Sequence, residues 1–168
     1  MLNINKKSTN SSEKSEMSDK STEEKLDFMK KTGYSKKAIQ LYVNRVNVGK
    51  IENADVALAY TGSCGDTIKF YLKIKENNTI DDASFRYLGC PALAACGSIL
   101  TQIVKGISLE KAKETTENEI FKELSGLADD EYHCAKLAAT TLHKTISRYE
   151  RHKQQISKTE SVSTEKFV

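Results

Sequence analysis

Apolar and polar residues alternate most regularly between positions 66 and 75. The apolar positions are Ile68, Phe70, Leu72 and Ile74, and this period of two is typical of a β-strand with one buried face. A similar alternation covers residues 79–88, and an apolar run at 56–61 precedes both. Because the connections between the three segments are short, they predict a three-stranded antiparallel meander.

The remaining apolar residues recur every three or four positions, which indicates helices. Pro91 begins an apolar, alanine-rich segment that ends at Lys105-Gly106. Shorter helices are predicted over 35–43, 108–114 and 116–126, and a last helix follows the acidic residues at 129–131. The sequence therefore predicts an α+β fold, in which a three-stranded antiparallel sheet packs against about five helices.

Composition divides the chain into three parts. Residues 1–33 are mostly Ser, Lys, Glu, Asn and Thr, and such a segment cannot bury enough apolar surface to order itself, so we expect a disordered extension. Residues 34–151 form the predicted domain, and residues 152–168 a flexible polar tail. Within the extension, the apolar cluster at 26–29 is the part that can form a short helical turn against the domain.

Charge and composition exclude several classes of function. The 168-residue chain has a formal net charge of +3, with its lysines interspersed among acidic residues, so nucleic-acid binding is not expected. No apolar run is long enough to cross a membrane, and the polar N-terminal stretch lacks the apolar core of a signal peptide. We therefore expect a cytoplasmic protein, whose four cysteines are more suited to metal binding or catalysis than to disulfides.

Gly89-Cys90-Pro91 joins the last predicted strand to the apolar helix. Pro91 suits the first helical position, so Cys90 is predicted at or next to the N-cap. Free amide donors and the helix dipole favour a thiolate at such a place. Cys90 is therefore a candidate metal ligand or sulfur acceptor.

Two further cysteines lie at the ends of predicted elements, beside other donor residues. Cys64 is followed by a glycine and Asp66 between two strands, and Cys134 follows His133 near the start of the last helix. With Cys90, these residues offer the nitrogen, oxygen and sulfur donors of a metal site. The chain has no Cys-X-X-Cys pair, so folding must bring the donors together.

Four segments carry a resemblance to a known family. They are residues 64–69 (Cys-Gly-Asp-Thr-Ile-Lys), 85–90 (Phe-Arg-Tyr-Leu-Gly-Cys), 105–110 (Lys-Gly-Ile-Ser-Leu-Glu) and 133–134 (His-Cys). In this order the chain resembles the NifU/IscU-type iron-sulfur cluster assembly scaffolds, and the NifU N-terminal domain in particular, from about residue 34 to residue 149. The family fold that this implies is a three-stranded antiparallel sheet packed with helices, in agreement with the pattern above.

The resemblance implies a scaffold and carrier, not an enzyme, although it leaves a sulfurtransferase activity open. In such a scaffold a cysteine desulfurase delivers sulfur, iron is added, and a transient [2Fe-2S] cluster is passed to apo iron-sulfur acceptor proteins. Carried over by motif, Cys64, Cys90 and Cys134 are the cluster ligands and sulfur acceptors, and Asp66 and His133 are nearby metal ligands or tuning groups. A homodimer and a zinc-bound, cluster-free form stay open.

Two differences within the superfamily bear on partners and function. Family members usually carry Leu-Pro-Pro-Val-Lys before the His-Cys, which a specialised Hsp70 chaperone reads, whereas residues 127–131 here are Leu-Ala-Asp-Asp-Glu. The resemblance therefore does not predict an interaction with this chaperone. The segment between Cys90 and Cys134 lacks the long insertion of zinc-dependent sulfur-transfer relatives, which favours a cluster scaffold. A zinc-bound sulfur acceptor is the alternative, because the same donors bind zinc.

Four residues also have a purely structural interpretation. Cys96 shares a helical stripe with apolar residues, so core packing is expected, with a spare sulfur acceptor as the alternative. His143 and His152 are expected on the solvated side of the last helix or beyond it. Asp66 is suited either to a ligand role or to stabilising the turn that follows Cys64.

Overall fold

A three-stranded antiparallel sheet lies at the centre of the fold. Its strands are β1 (Val56–Thr61), β2 (Thr67–Ile74) and β3 (Ile80–Leu88), in the order β1-β2-β3. The structure is a computed structural model that describes residues 12–164, with side chains described for 22–128 and 130–158. The predicted meander is confirmed.

Six α-helices complete the described part of the chain. They are α1 (Ser12–Lys31), α2 (Lys36–Val43), α3 (Pro91–Val104), α4 (Leu109–Lys113), α5 (Glu117–Glu123) and α6 (Tyr132–Thr164). A 3-10 turn, Asp129–Glu131, leads directly into α6. Ser35, Ser108 and Thr116 act as N-caps, each accepting a hydrogen bond from the backbone N–H three residues on. The predicted α+β class is therefore confirmed.

Helix α3 is buried on almost every side and packs against the last strand of the sheet. Residues 92–101 are all buried, and the helix packs against β3, α2 and α6. A Cβ atom at Gly97 would lie 2.5 Å from the ring of Phe85, so a glycine is needed for this close approach. Cys96 is completely buried in α3, in agreement with the core-packing interpretation. The N-terminus of α3, where Cys90 lies, is thereby held firmly against the end of β3.

The terminal segments are more helical than the sequence analysis expects. Helix α1 lies within the predicted disordered extension, and α6 continues to Thr164 through much of the predicted flexible tail. Lys, Glu and Ser tolerate a helical backbone. A prediction based only on how much apolar surface a segment can bury does not take this helix propensity into account. Met29 is completely buried, so the contact expected from the cluster at 26–29 is present. The expectations for residues 1–11 and 165–168 lie outside the described residues, and the domain limits stay a prediction.

The two histidines expected at the surface differ from each other. His152 is exposed, whereas His143 is half-buried, with its ring Nε2 3.0 Å from the main-chain oxygen of Thr115. The expectation for His143 is wrong in this respect, because the connection between α4 and α5 covers that side of α6. Across the described residues, no helix combines the length and the apolar character needed to cross a membrane.

Candidate metal centre

Cys90 caps α3. Its backbone is extended, with φ −75° and ψ 163°, and its Sγ accepts a hydrogen bond from the N–H of Leu93 at 3.4 Å. Pro91 takes the first helical position, so the predicted N-cap placement of Cys90 is confirmed. The sulfur therefore lies at the N-terminus of a helix that is buried on almost every side.

The carboxylate of Asp66 reaches Cys90 from the start of β2. Its Oδ2 accepts a hydrogen bond from the backbone N–H of Cys90 at 3.3 Å. The main-chain oxygen of Asp66 separately accepts a hydrogen bond from the N–H of Gly62 at 2.9 Å. Asp66 thus closes the turn through its backbone and directs its side chain to Cys90, so its two predicted roles do not exclude each other.

Cys134 lies opposite Cys90 in the first turn of α6. The two Sγ atoms are 3.3 Å apart and share a hydrogen bond, and Cys134 is completely buried. This hydrogen bond and burial raise the pKa of the Cys134 thiol. In the metal-free protein Cys134 is therefore a neutral thiol at neutral pH, and a metal that binds there must displace its proton.

Glu131 is a residue of this site that the sequence analysis missed. Its Oε2 accepts hydrogen bonds from the thiols of Cys134 at 3.3 Å and Cys90 at 3.6 Å. Its Oε1 accepts a hydrogen bond from the hydroxyl of Tyr34 at 3.2 Å. Burial and the charge of Glu131 raise the pKa of the Tyr34 hydroxyl, which keeps it protonated as a donor. The spacing of three residues between Glu131 and Cys134 at a helix start is the sequence feature that could have identified it.

His133 lies on the solvent side of Cys134. Its side chain is exposed, its Nδ1 is 2.8 Å from the main-chain oxygen of Asp130, and its Nε2 is 3.4 Å from Sγ of Cys134. When Nδ1 carries the proton and donates it to this carbonyl oxygen, Nε2 is a neutral nitrogen donor. The backbone of the 3-10 turn thus orients the imidazole toward the thiol.

The donor atoms form two overlapping groups. Those of Asp66, Cys90 and Cys134 lie within 4.8 Å of one another, and so do those of Glu131, His133 and Cys134. Four of the five residues that the sequence analysis names as ligands are therefore close together. Whether they bind a metal stays a prediction.

Cys64, the fifth of these residues, lies apart. It is exposed, and it belongs to neither donor group within the described ranges. The loop that carries it rests on α6, since a Cβ atom at Gly62 would lie 3.2 Å from the side chain of Leu137. The Cys64 thiol is thus accessible to a protein partner in this conformation.

The chemistry of the donors fits iron or zinc. Thiolates hold iron-sulfur clusters and zinc, and imidazole and carboxylate complete such sites. The groups contain two thiols, so a four-coordinate ion bound by both of them needs two further ligands.

Comparison with known proteins identifies the family. The family model of the NifU-like N terminal domain matches residues 33–156, which is most of the chain. This protein therefore belongs to the NifU-like N-terminal domain family.

Several curated proteins are similar over the same region. The iron-sulfur cluster assembly scaffold protein IscU 1 of Archaeoglobus fulgidus is 37% identical over 134 residues, which are 79% of this chain and 87% of the relative. IscU of Aquifex aeolicus is 37% identical over 118 residues, covering 69% and 75%. IscU of Escherichia coli is 36% identical over 120 residues, covering 69% and 93%.

Two solved structures share the fold. The SUF-system protein FiSufU of Fervidobacterium islandicum superposes with a TM-score of 0.58 and 21% identity, over 67% of this chain and 96% of that one. The N-terminal part of a NifU-like protein of Brucella abortus gives a TM-score of 0.54 and 20% identity, over 70% and 94%. At this identity the likeness supports the architecture alone.

Proposed function

We propose that this protein is a scaffold on which a transient [2Fe-2S] cluster is assembled and from which the cluster is passed to apo-proteins. The observation that carries the proposal is the pair of thiols on Cys90 and Cys134, whose Sγ atoms are 3.3 Å apart, with the Asp66 carboxylate in the same 4.8 Å group. Thiolates are the usual protein ligands of such clusters. The names of the similar proteins above support the same role.

Sulfur enters through Cys64 in this proposal. Its exposed thiol can approach a persulfide carried by a cysteine desulfurase. The Cys64 thiolate attacks the outer sulfur, which forms a Cys64 persulfide and releases the desulfurase cysteine as a thiolate. Two electrons from an external donor, a ferredoxin or a dithiol, then reduce this sulfur to sulfide and restore the Cys64 thiolate.

The oxygen ligand makes the cluster transferable. A carboxylate oxygen such as that of Asp66 holds iron less firmly than a thiolate does, so the thiolates of an acceptor protein displace it first. The protein acts as a carrier, because it delivers the assembled cluster and converts no substrate with its own groups. Its partners in this role are a cysteine desulfurase and apo iron-sulfur proteins, and the cytoplasm is the compartment that we infer.

Anaerobic reconstitution with iron, cysteine, a desulfurase and a dithiol as the electron donor tests the proposal. The wild-type protein should acquire the visible absorption spectrum of a [2Fe-2S] centre, and Cys90→Ala or Cys134→Ala should lose it. Cys96→Ala is the matched control, because it removes a thiol that is buried in α3 and outside both donor groups. A spectrum that survives the simultaneous replacement of Cys64, Cys90 and Cys134 by alanine contradicts the proposal.

A zinc-bound sulfur acceptor is the second candidate function. The group of Glu131, His133 and Cys134 offers oxygen, nitrogen and sulfur donors within 4.8 Å, a set that suits zinc, while the exposed Cys64 is left to take up sulfur. Zinc content after anaerobic purification and the turnover of a desulfurase separate the two functions. Stoichiometric zinc, faster desulfurase turnover and no cluster favour the sulfur acceptor, whereas a transferable cluster favours the scaffold.

A further inference from the structure

The Glu131 carboxylate lies against both sulfur atoms of the site. Its Oε2 is 3.3 Å from Sγ of Cys134 and 3.6 Å from Sγ of Cys90, and the two sulfurs are 3.3 Å apart. These three atoms form a nearly equilateral triangle. The Tyr34 hydroxyl holds the second carboxylate oxygen at 3.2 Å, so the carboxylate is oriented before any ion binds.

The triangle is close in size to one face of a tetrahedral metal site. With metal–sulfur bonds of about 2.3 Å and metal–oxygen bonds of about 2.0 Å, two sulfur ligands lie about 3.8 Å apart and a sulfur and an oxygen about 3.5 Å apart. The separations of 3.3, 3.3 and 3.6 Å in this protein agree with these distances to within about half an ångström. A small outward movement of the side chains therefore admits an ion.

The surroundings of Glu131 also favour a cation. The Glu131 side chain is only 19% exposed. Its Oε2 pairs with Nε2 of His133 at 4.0 Å, but the imidazole is charged only when it is protonated. Thiols are weak hydrogen-bond donors, so they compensate poorly for the removal of a carboxylate from water. A divalent cation between the carboxylate and the sulfurs supplies that compensation.

We propose that Glu131 is a metal ligand, which with Cys90 and Cys134 occupies three positions around a four-coordinate zinc or ferrous ion. The inference rests on the proposed metal-handling role of this centre and adds a residue to it. The fourth ligand comes from one of two neighbours: Asp66 shares a donor group with both cysteines, and His133 shares one with Glu131 and Cys134. A single bound ion then needs no bond to Cys64, whose exposed thiol stays available for sulfur.

A purely positioning role for Glu131 predicts a different outcome. If the carboxylate only orients the thiols of Cys90 and Cys134 through hydrogen bonds, glutamine can replace it, since its amide oxygen also accepts hydrogen bonds. The coordination of a bound ion is then unchanged. If Glu131 is a ligand, a neutral amide replaces an anionic oxygen in the coordination sphere, and both the affinity and the ligand field change.

Cobalt binding to the metal-free, full-length protein separates these roles. The variants are Glu131→Gln and Glu131→Ala, and the matched control is Asp130→Asn, which makes the same charge change at an exposed neighbour and keeps the backbone oxygen next to His133. The d–d absorption envelope of Co²⁺ reports the ligand set, and competition with a chelator gives the zinc affinity. Thermal unfolding without metal verifies that each variant folds.

Both Glu131 variants should bind zinc at least roughly 10-fold more weakly than the wild type and should shift the d–d envelope. The sulfur-to-cobalt charge-transfer bands should persist, because both cysteines remain, and Asp130→Asn should match the wild type. An unchanged affinity and envelope in Glu131→Gln overturns the proposal. A loss of affinity with an unchanged envelope also overturns it, because it assigns Glu131 to positioning alone. If the wild type binds cobalt as expected but never carries a transferable cluster, the proposed scaffold function is wrong while the assignment of Glu131 as a ligand is retained.

Discussion

The carboxylate of Asp66 fills the space that a side chain on Gly89 would need. A Cβ atom at position 89 would lie 2.4 Å from Cγ and 2.5 Å from Oδ2 of Asp66. The glycine that precedes Cys90 is therefore part of the site, because its missing side chain allows Asp66 to approach the N-cap of α3.

Replacing Gly89 by alanine should push Asp66 away from Cys90. We expect the metal-free protein to bind zinc roughly 10-fold more weakly, as is common when a supporting contact of a metal site is lost. Competition with a chelator measures the affinity. Gly49→Ala is the matched control, since a Cβ atom there meets nothing within 4 Å. Equal affinities of Gly89→Ala and the wild type would show that zinc binding does not depend on the approach of Asp66.

Tyr34→Phe removes the hydroxyl that holds Oε1 of Glu131 at 3.2 Å. The carboxylate remains but is less well oriented, so zinc affinity should fall by up to roughly 10-fold while the cobalt spectrum keeps its shape. Tyr149→Phe, at a half-buried tyrosine on α6, is the control. A changed cobalt spectrum in Tyr34→Phe would mean that the hydroxyl affects the ligand set itself.

Asp66→Ala should separate cluster release from cluster assembly. The variant should fold and acquire a cluster, but transfer to an apo-acceptor should be several-fold slower, because the easily displaced oxygen ligand is gone. Cys64→Ala should instead impair assembly. The rate at which the acceptor gains its visible circular dichroism measures transfer, with Asp81→Ala as an exposed control. If Asp66→Ala transfers its cluster at the wild-type rate, Asp66 serves only the turn.

Gly97→Ala should destabilise the fold without a direct effect on the donors. A Cβ atom at this position would lie 2.5 Å from the Phe85 ring in a tightly packed core, and such overpacking costs about 1–3 kcal/mol. Denaturant unfolding of the metal-free protein gives the free energy of unfolding. Adding Phe85→Leu should offset part of the loss caused by Gly97→Ala, since the two residues are in contact. Additive losses in the double variant would argue against this contact.

The elements that the sequence predicts well are those determined by local chemistry. The alternation through β2 depends on the period of two in a strand, and the caps at Ser35 and Ser108 depend on residues three positions apart. The placement of Cys90 follows in the same way, because Pro91 marks the first helical position. Such features need no knowledge of distant parts of the chain.

Features that depend on tertiary contacts could not be predicted in this way. Glu131 contacts Tyr34, 97 positions away, and Cys90, 41 positions away. In the sequence it is seen as one of the acidic residues before the last helix and as part of a segment that differs from a chaperone-binding motif, and neither shows these contacts. The separation of Cys64 from the other thiols depends on how its loop rests on α6. Composition likewise indicates that residues 1–33 bury little apolar surface, but it does not determine whether their backbone is helical.

Transfer of a reconstituted cluster tests the central claim most directly. The wild-type protein, loaded anaerobically and freed of unbound iron and sulfide, is mixed with an apo-ferredoxin in the presence of a chelator that captures released iron. The account predicts that the ferredoxin acquires its [2Fe-2S] spectrum while the scaffold loses its own, and that Cys96→Ala behaves like the wild type. A cluster that is never acquired, or that reaches the ferredoxin only when the chelator is left out, would contradict it.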